Sequence, residues 1–319
     1  MDLPLLLSIV AVAIHAGTSL VYASVGEIFT ERSGILNLGV EGMMIMGAVT
    51  AFATAYHTGS LAAALVVAMA VGGALALIHA FLTISLRADQ VVSGLALTIF
   101  GVGLASFLGQ RLGSEGKTLV GVVGPRFRPV AIPGLSDIPV IGNALFNQDL
   151  LVYAMYLLVP AAAYFIYRTR PGLHLRAVGD NPGTADALGI GVYRSRYLYT
   201  MLGGMLVALG GAHLSLSYTP GWTDGLTGGR GWIAIALVIF ALWNPYRALL
   251  GALLFGGVNA IQFRLQAMGA TIPAPFLNML PYLFTILVLT LVTVYEKTSK
   301  RVGAPAALGL PYVRGERTG

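Results

Sequence analysis

A carboxylate within an apolar run is the residue in this sequence that most needs a chemical explanation. Glu41 lies on the run 35–55, and Asn37 precedes it by four residues, a spacing that places both on one face of a helix. A carboxylate at the centre of a bilayer costs roughly 2.5–3.5 kcal/mol on insertion scales, so its side chain must face protein or water. Two readings follow. Glu41 lines or gates a solute path, or it lies near the inner interface and caps or pairs with a neighbour. Asn259, Gln262 and Gln266 recur at helical spacing on one face of the run 247–265 and its end. That face either meets a polar solute or ties helices together. Ser93 and Thr98 are further candidates, although hydroxyls within spans often bond their own backbone. The expected solute-path residues are therefore Asn37, Glu41, Ser93, Asn259 and Gln262.

Other chemistries are excluded by residue type or spacing. The stretch Gly113-Ser114-Glu115-Gly116-Lys117-Thr118 has two residues between its glycines where a phosphate loop needs four, and no strand–helix pattern surrounds it. The chain is not expected to bind ATP or any other cofactor. Its five histidines, His15, His57, His79, His174 and His213, show no ligand spacing, so no metal site is expected. With no cysteine there are no disulfides, thiolate sites or thiol nucleophiles. No Ser/His, paired-Asp or His-Glu constellation lies within the apolar runs, and no catalytic residue is assigned.

A polar island interrupts the apolar runs at 168–196. Arg168, Arg170, Arg176, Arg194 and Arg196 flank a short helix signal within it. Asn181 is a good N-cap, Pro182 suits the first helical position, and Gly189 suits the left-handed residue that ends a helix. A short helix held between two spans can transmit force; the plainer reading is a solvated loop.

These features need a membrane-embedded frame. Of 319 residues, 56% are hydrophobic and only 10% charged, whereas soluble domains carry about 25% charged residues. Apolar runs recur at 3–25, 35–55, 60–83, 90–112, 149–167, 197–217, 229–243, 247–265 and 276–295, most of them long enough to cross about 30 Å of hydrocarbon. The run 229–243 is short and is expected to be half of a broken helix, which is tolerated only where backbone faces protein or a cavity. The first run reads as a span rather than a removed signal peptide, because no basic segment precedes it. Small-residue ladders, Gly204-Ala208-Ala212 and Ala252-Gly256-Ala260, mark surfaces where helices approach closely. Basic residues sit at span ends and place 168–196 and 296–301 on the inner side. The formal charge of +6 therefore gives no nucleic-acid reading. The long outer loop, about 113–148, is rich in Gly and Pro and is a candidate surface for an external partner. The tail, about 302–319, is expected to be poorly ordered.

Three blocks resemble the permeases of ABC-type importers, in the simple-sugar and nucleoside branch related to ribose and branched-chain amino acid permeases. The first is Gly26-Glu27-Ile28 followed by Glu31 through Met44. The second is Leu175 through Pro182 with Ala185 to Gly189. The third is Gly231 through Ala236 followed by Trp243-Asn244-Pro245. They occur in the family's order and the resemblance covers nearly the whole chain; Asp180 stands where the family pattern suggests Glu, a conservative change. The resemblance implies an all-α polytopic protein with eight to ten transmembrane helices and a type II importer permease fold, forming one domain over 1–319. It implies a coupling role for Arg176, Gly179, Asp180, Asn181, Pro182, Ala185, Ala187, Leu188 and Gly189. It also implies a separate ATPase subunit that binds the ATP, a second homologous permease in a heterodimer, an extracytoplasmic solute-binding protein, and a plasma-membrane location with the C-terminus inside. The alternative from composition alone is a secondary transporter or channel for a small polar solute.

Overall fold

The computed structural model describes residues 3–139, 141–267 and 303–315, with isolated positions between 273 and 294. Eleven α-helices follow in order: α1 Leu3–Arg32, α2 Val40–Thr58, α3 Leu61–Ala80, α4 Gln90–Arg111, α5 Gly142–Phe146, α6 Leu150–Arg168, α7 Arg170–Asp180, α8 Pro182–Ala187, α9 Val192–His213, α10 Arg230–Phe240 and α11 Pro245–Ala267. The architecture is all-α. Two-residue strands at Val130–Ala131 and Asn147–Gln148 pair antiparallel in the loop before α6.

Among the described residues, six helical stretches are long and apolar enough to cross a membrane: Leu7–Arg32, Leu61–Ser85, Gln90–Arg111, Leu150–Arg168, Val192–Tyr218 and Pro245–Gln266. Of the remaining expected spans, α2 is enclosed in the middle of the bundle, α10 has only 11 residues, and 276–295 falls mostly outside the described residues. Helix α1 runs beyond the expected end at 25 because its last turns remain in the core. Phe29 stacks on Tyr199 at 6.2 Å and meets Phe165 at 5.7 Å. The second run differs in the opposite sense. Residues 34–39 are not helical: Gly34 takes a left-handed φ of 91°, and the Asn37 side chain accepts the Gly39 N–H at 2.9 Å. Helix α2 therefore starts at Val40, and Asn37 shares no helical face with Glu41.

Helix α9 is the hub, packing on α1, α2 and α3. With lipid outside and little polar surface inside, close backbone approach supplies the attraction between helices. A Cβ on Gly203 would stand 2.7 Å from the Gly26 carbonyl oxygen of α1, and one on Gly204 would stand 2.6 Å from that of Gly72 on α3. Both ladders read from the sequence lie at such contacts. Ala208 faces Gly47 of α2 and Gly72 of α3, and Ala252 and Gly256 face Gly17 and Ala13 of α1.

Both α3 and α9 end in a π-helical turn, Phe81–Ser85 and Leu214–Tyr218. The second turns Ser215 and Ser217 inward, where Ser215 donates to the Ala48 carbonyl at 2.8 Å. The tail corrects an expectation. Residues 303–315 are packed rather than loose, with Ala307 and Tyr312 buried.

Replacing Gly204 by Val drives a branched side chain into the Gly72 backbone. We expect this to cost about 1–3 kcal/mol of stability, read as a lower unfolding temperature of the detergent-purified protein. An unchanged midpoint would show that α3 and α9 do not meet here.

Candidate functional site: a capped half-helix and a supported coupling segment

The long loop after α4 and the segment after α9 meet near the end of α4. Val120 bridges Trp222, whose buried indole fills the space beside Gly109. From Trp222 the chain turns into the bundle through overlapping turns and starts α10 in its interior. A helix that starts there leaves N–H groups without intrahelical partners and presents the positive end of its dipole. Glu41 answers both. Its Oε1 accepts from Thr227 Oγ1 at 2.6 Å and Gly229 N at 3.0 Å, and its Oε2 accepts from Gly231 N at 2.6 Å. Glu41 also lies in the first turn of α2, so two helix N-termini converge on one carboxylate. It is only 7% exposed. These are the contacts of a cap. Gly231 must be glycine, since a Cβ would lie 2.5 Å from the Glu41 Cα. The short run 229–243 is thus a half-helix, as its length implied.

The other expected path residues do not gather around Glu41. Asn37 is fully buried; its backbone N–H donates to Glu27 Oε1 at 3.2 Å and its side-chain amide to Glu27 Oε2 at 3.4 Å. Ser93 bonds His79 Nδ1 at 3.0 Å and lines a mainly apolar cavity of about 260 Å³ with Ile78, Leu97 and Phe100. Asn259 and Gln262 lie on α11, Asn259 half-buried and Gln262 buried.

Several buried polar residues carry weight that the sequence did not signal. Glu27 and Glu31 sit one turn apart on α1, both buried, and Glu31 accepts the Trp243 indole N–H at 2.5 Å. Arg230 extends from the start of α10 to the Ala16 carbonyl of α1 at 3.0 Å, its guanidinium 5.0 Å from the Tyr218 ring centroid. Apolar runs hide such residues: the partners of Glu31 and Arg230 lie 212 and 214 positions away.

At the opposite end, the polar island folds into α7 and α8. Thr169 caps α7, accepting from Gly172 N at 3.1 Å, and Pro171 occupies its first turn. Asn181 caps α8, accepting from Thr184 N at 2.9 Å. Gly189 then takes φ 81° and stops it. All three signals read from the sequence for α8 are present, with Pro182 at its first position; α7 is additional. The nine expected coupling residues divide by burial into three sets. Gly179, Pro182 and Ala185 are buried, Gly179 tightly against the Arg32 carbonyl of α1. Arg176 is half-buried, its guanidinium 5.7 Å from the Tyr167 ring centroid. Asp180, Asn181, Ala187, Leu188 and Gly189 face outward, Leu188 at 76% exposure.

The tail braces this segment. Ala307 N donates to Gly179 O at 2.9 Å, and Gly309 N donates to Gly34 O at 3.2 Å. Arg196, at the start of α9 and buried, donates to Leu310 O at 3.1 Å. Arg314 pairs with Asp186 of α8 at 3.0 Å. One element therefore contacts the α1–α2 connection, α7, α8 and α9.

Comparison with known proteins places this geometry in context. The model of a family described as branched-chain amino acid transport system / permease component matches residues 8–292. The chain is 41% identical to the putative glucose ABC transporter permease protein TsgC13 of Haloferax volcanii, covering 94% of this chain and 96% of that protein. It is 37% identical to the guanosine ABC transporter permease protein NupQ of Bacillus subtilis, with 99% and 100% covered. It is 36% identical to the nucleoside ABC transporter permease protein NupC of Lactococcus lactis, with 96% of each covered. No solved structure matches.

Changing Glu41 to Gln keeps the shape but places an amide N–H where one acceptor stood. Whichever way the amide turns, a backbone or hydroxyl donor faces another donor. Hydrogen bonds to a charged group contribute about 1.5–3 kcal/mol, so we expect a loss of that order in unfolding of the purified protein. Wild-type stability in this variant would remove the cap from the account.

Proposed function

Because the chain belongs to the branched-chain amino acid transport system / permease component family, we propose that it is the membrane-spanning subunit of an ATP-driven importer carrying a nucleoside or simple sugar into the cell. The observation that carries the mechanism is the division of α8 into two faces. Pro182 and Ala185 fix its inner face, while Thr184, Ala187 and Leu188 are exposed. A large apolar side chain at 76% exposure on a rigid, capped helix suits a partner's groove better than water.

In this reading α8 docks into a separate ATPase subunit, which binds and hydrolyses the ATP. The island and the C-terminus lie in the cytoplasm. A second, homologous permease completes the membrane body as a heterodimer, and an extracytoplasmic binding protein delivers the solute to the opposite face. Names of relatives at 36–41% identity, glucose in one case and nucleosides in two, support the substrate class. For the path we keep Ser93 and the half-buried Asn259. Asn37 and Glu41 are assigned instead to holding backbone. That assignment removes Glu41 as an ion-coupling group and weakens the reading as a secondary transporter.

The test uses the assembled complex in liposomes. Leu188→Glu changes an exposed residue, so folding and expression should be unaffected. We expect uptake and solute-stimulated ATP hydrolysis to fall together by at least about tenfold, which corresponds to roughly 1.4 kcal/mol of lost coupling. Undiminished uptake would show that α8 is not the contact. Uptake of a labelled panel of nucleosides and sugars by the wild-type complex decides the substrate; transport of neither would overturn that part of the proposal.

A further inference from the structure

Two of the five histidines, far apart in sequence, meet in space. His15 of α1, Asp149 before α6 and His213 at the end of α9 place one donor atom each within 4.8 Å of one another. Sequence spacing gave no sign of this proximity, because the three groups come from three separate elements. His15 Nε2 stands 3.1 Å from Asp149 Oδ2, and His213 Nε2 stands 3.8 Å from the same oxygen. Ser217, on the π-turn after α9, donates to Asp149 Oδ2 at 2.8 Å and lies 2.9 Å from His15 Nε2.

From this arrangement we infer that His15, Asp149 and His213 form a binding site for a divalent transition-metal ion of the zinc type. Four observations support it. The donor set, two imidazoles and one carboxylate, is one that Zn²⁺ accepts with a fourth position left over. Ligand bonds of about 2.0–2.1 Å at tetrahedral angles put donor atoms about 3.4 Å apart; the two pairs that include the carboxylate stand at 3.1 and 3.8 Å, on either side of that figure, and the two imidazoles lie within 4.8 Å of each other. The carboxylate is oriented from behind: Asp149 Oδ1 accepts Leu151 N at 2.7 Å and Val152 N at 3.2 Å, which turns Oδ2 toward the histidines. Finally, His213 is fully buried, yet neither of its ring nitrogens has a hydrogen-bond partner. A buried imidazole without a partner is costly, and a metal at Nε2 would supply one.

The His15 side chain retains 29% exposure, which gives an ion access and leaves room for water or the Ser217 hydroxyl as fourth ligand. His15 packs edge-on against His213 at 5.2 Å and against Tyr218 at 5.5 Å, so the rings hold each other in place. Arg230 is held apart by its own contacts, over the Tyr218 ring and on the Ala16 carbonyl of α1. Harder ions such as Mg²⁺ or Ca²⁺ ask for more oxygen donors than these residues offer. An ion here would pin α1, α6 and the hub helix α9 together at the end away from α8.

The test is independent of transport. The full chain is purified in detergent with an affinity tag that contains no histidine, equilibrated with ZnCl₂ alone, passed through a desalting column and analysed for metal. We expect about one zinc per chain, and a Co²⁺-loaded sample with the visible absorption of tetrahedral cobalt. His213→Gln and His15→Gln should each lower retained zinc at least tenfold, while His57→Gln and His174→Gln should not. Asp149 is left intact because it also caps α6. Wild-type protein that retains essentially no zinc would overturn the proposal, as would retention unchanged in both site variants. Should His213→Gln fail to accumulate, His15→Gln on the partly exposed side carries the comparison.

Discussion

A single carboxylate holds open the possibility of a helix that begins inside the membrane. Helix α10 has 11 residues, too few to cross hydrocarbon, and its first N–H groups would be unsatisfied in lipid at several kcal/mol each. Glu41 satisfies Gly229, Gly231 and the Thr227 hydroxyl at once. The charge itself is made tolerable by the same contacts, because the dipoles of α2 and α10 both point their positive ends at it. Carboxylate and half-helix each need the other. The loop 219–229 can descend into the bundle only while that contact persists.

The second constraint is that helices in lipid gain little from hiding apolar surface from each other and must touch closely instead. Small residues on α9 meet that requirement toward α1, α2 and α3. The same closeness continues into the polar end, where Gly179 of α7 lies against the end of α1 and the tail bonds both Gly179 and Gly34. A push on α8 would therefore reach α1 through α7, and α9 through Arg196 and the tail, without a flexible joint among the described contacts. This is the physical content of the proposed coupling.

Local chemistry was legible in the sequence, and long-range chemistry was not. The start and stop of α8 could be read because Asn181 bonds Thr184 and Gly189 supplies a positive φ, all within nine residues. Helix α7 was not read from the sequence, although proline in a first turn after a threonine cap begins a helix. The shared face drawn for Asn37 and Glu41 failed because an apolar run does not reveal the turn that Gly34 and Asn37 make inside it. That Glu41 caps something was among the readings available; that its partners lie at 227–231 was not. Ladders of small residues showed where helices touch, but not which partner each touches. The histidine cluster was invisible for the same reason, since spacing arguments work only when ligands share an element.

Segment 219–229 enters the bundle from the end opposite α8 and stops at Glu41. Because the chain contains no cysteine, single cysteines can be introduced on a silent background and probed with a membrane-impermeant maleimide from either side. The account predicts that cysteine at exposed Asp224 reacts from the outside of intact cells, that cysteine at Leu188 reacts only once the inner face is opened, and that cysteine at buried Thr227 resists from both sides. Labelling of position 227 from the inner face as readily as position 188 would mean that this segment crosses the membrane, and would contradict the account.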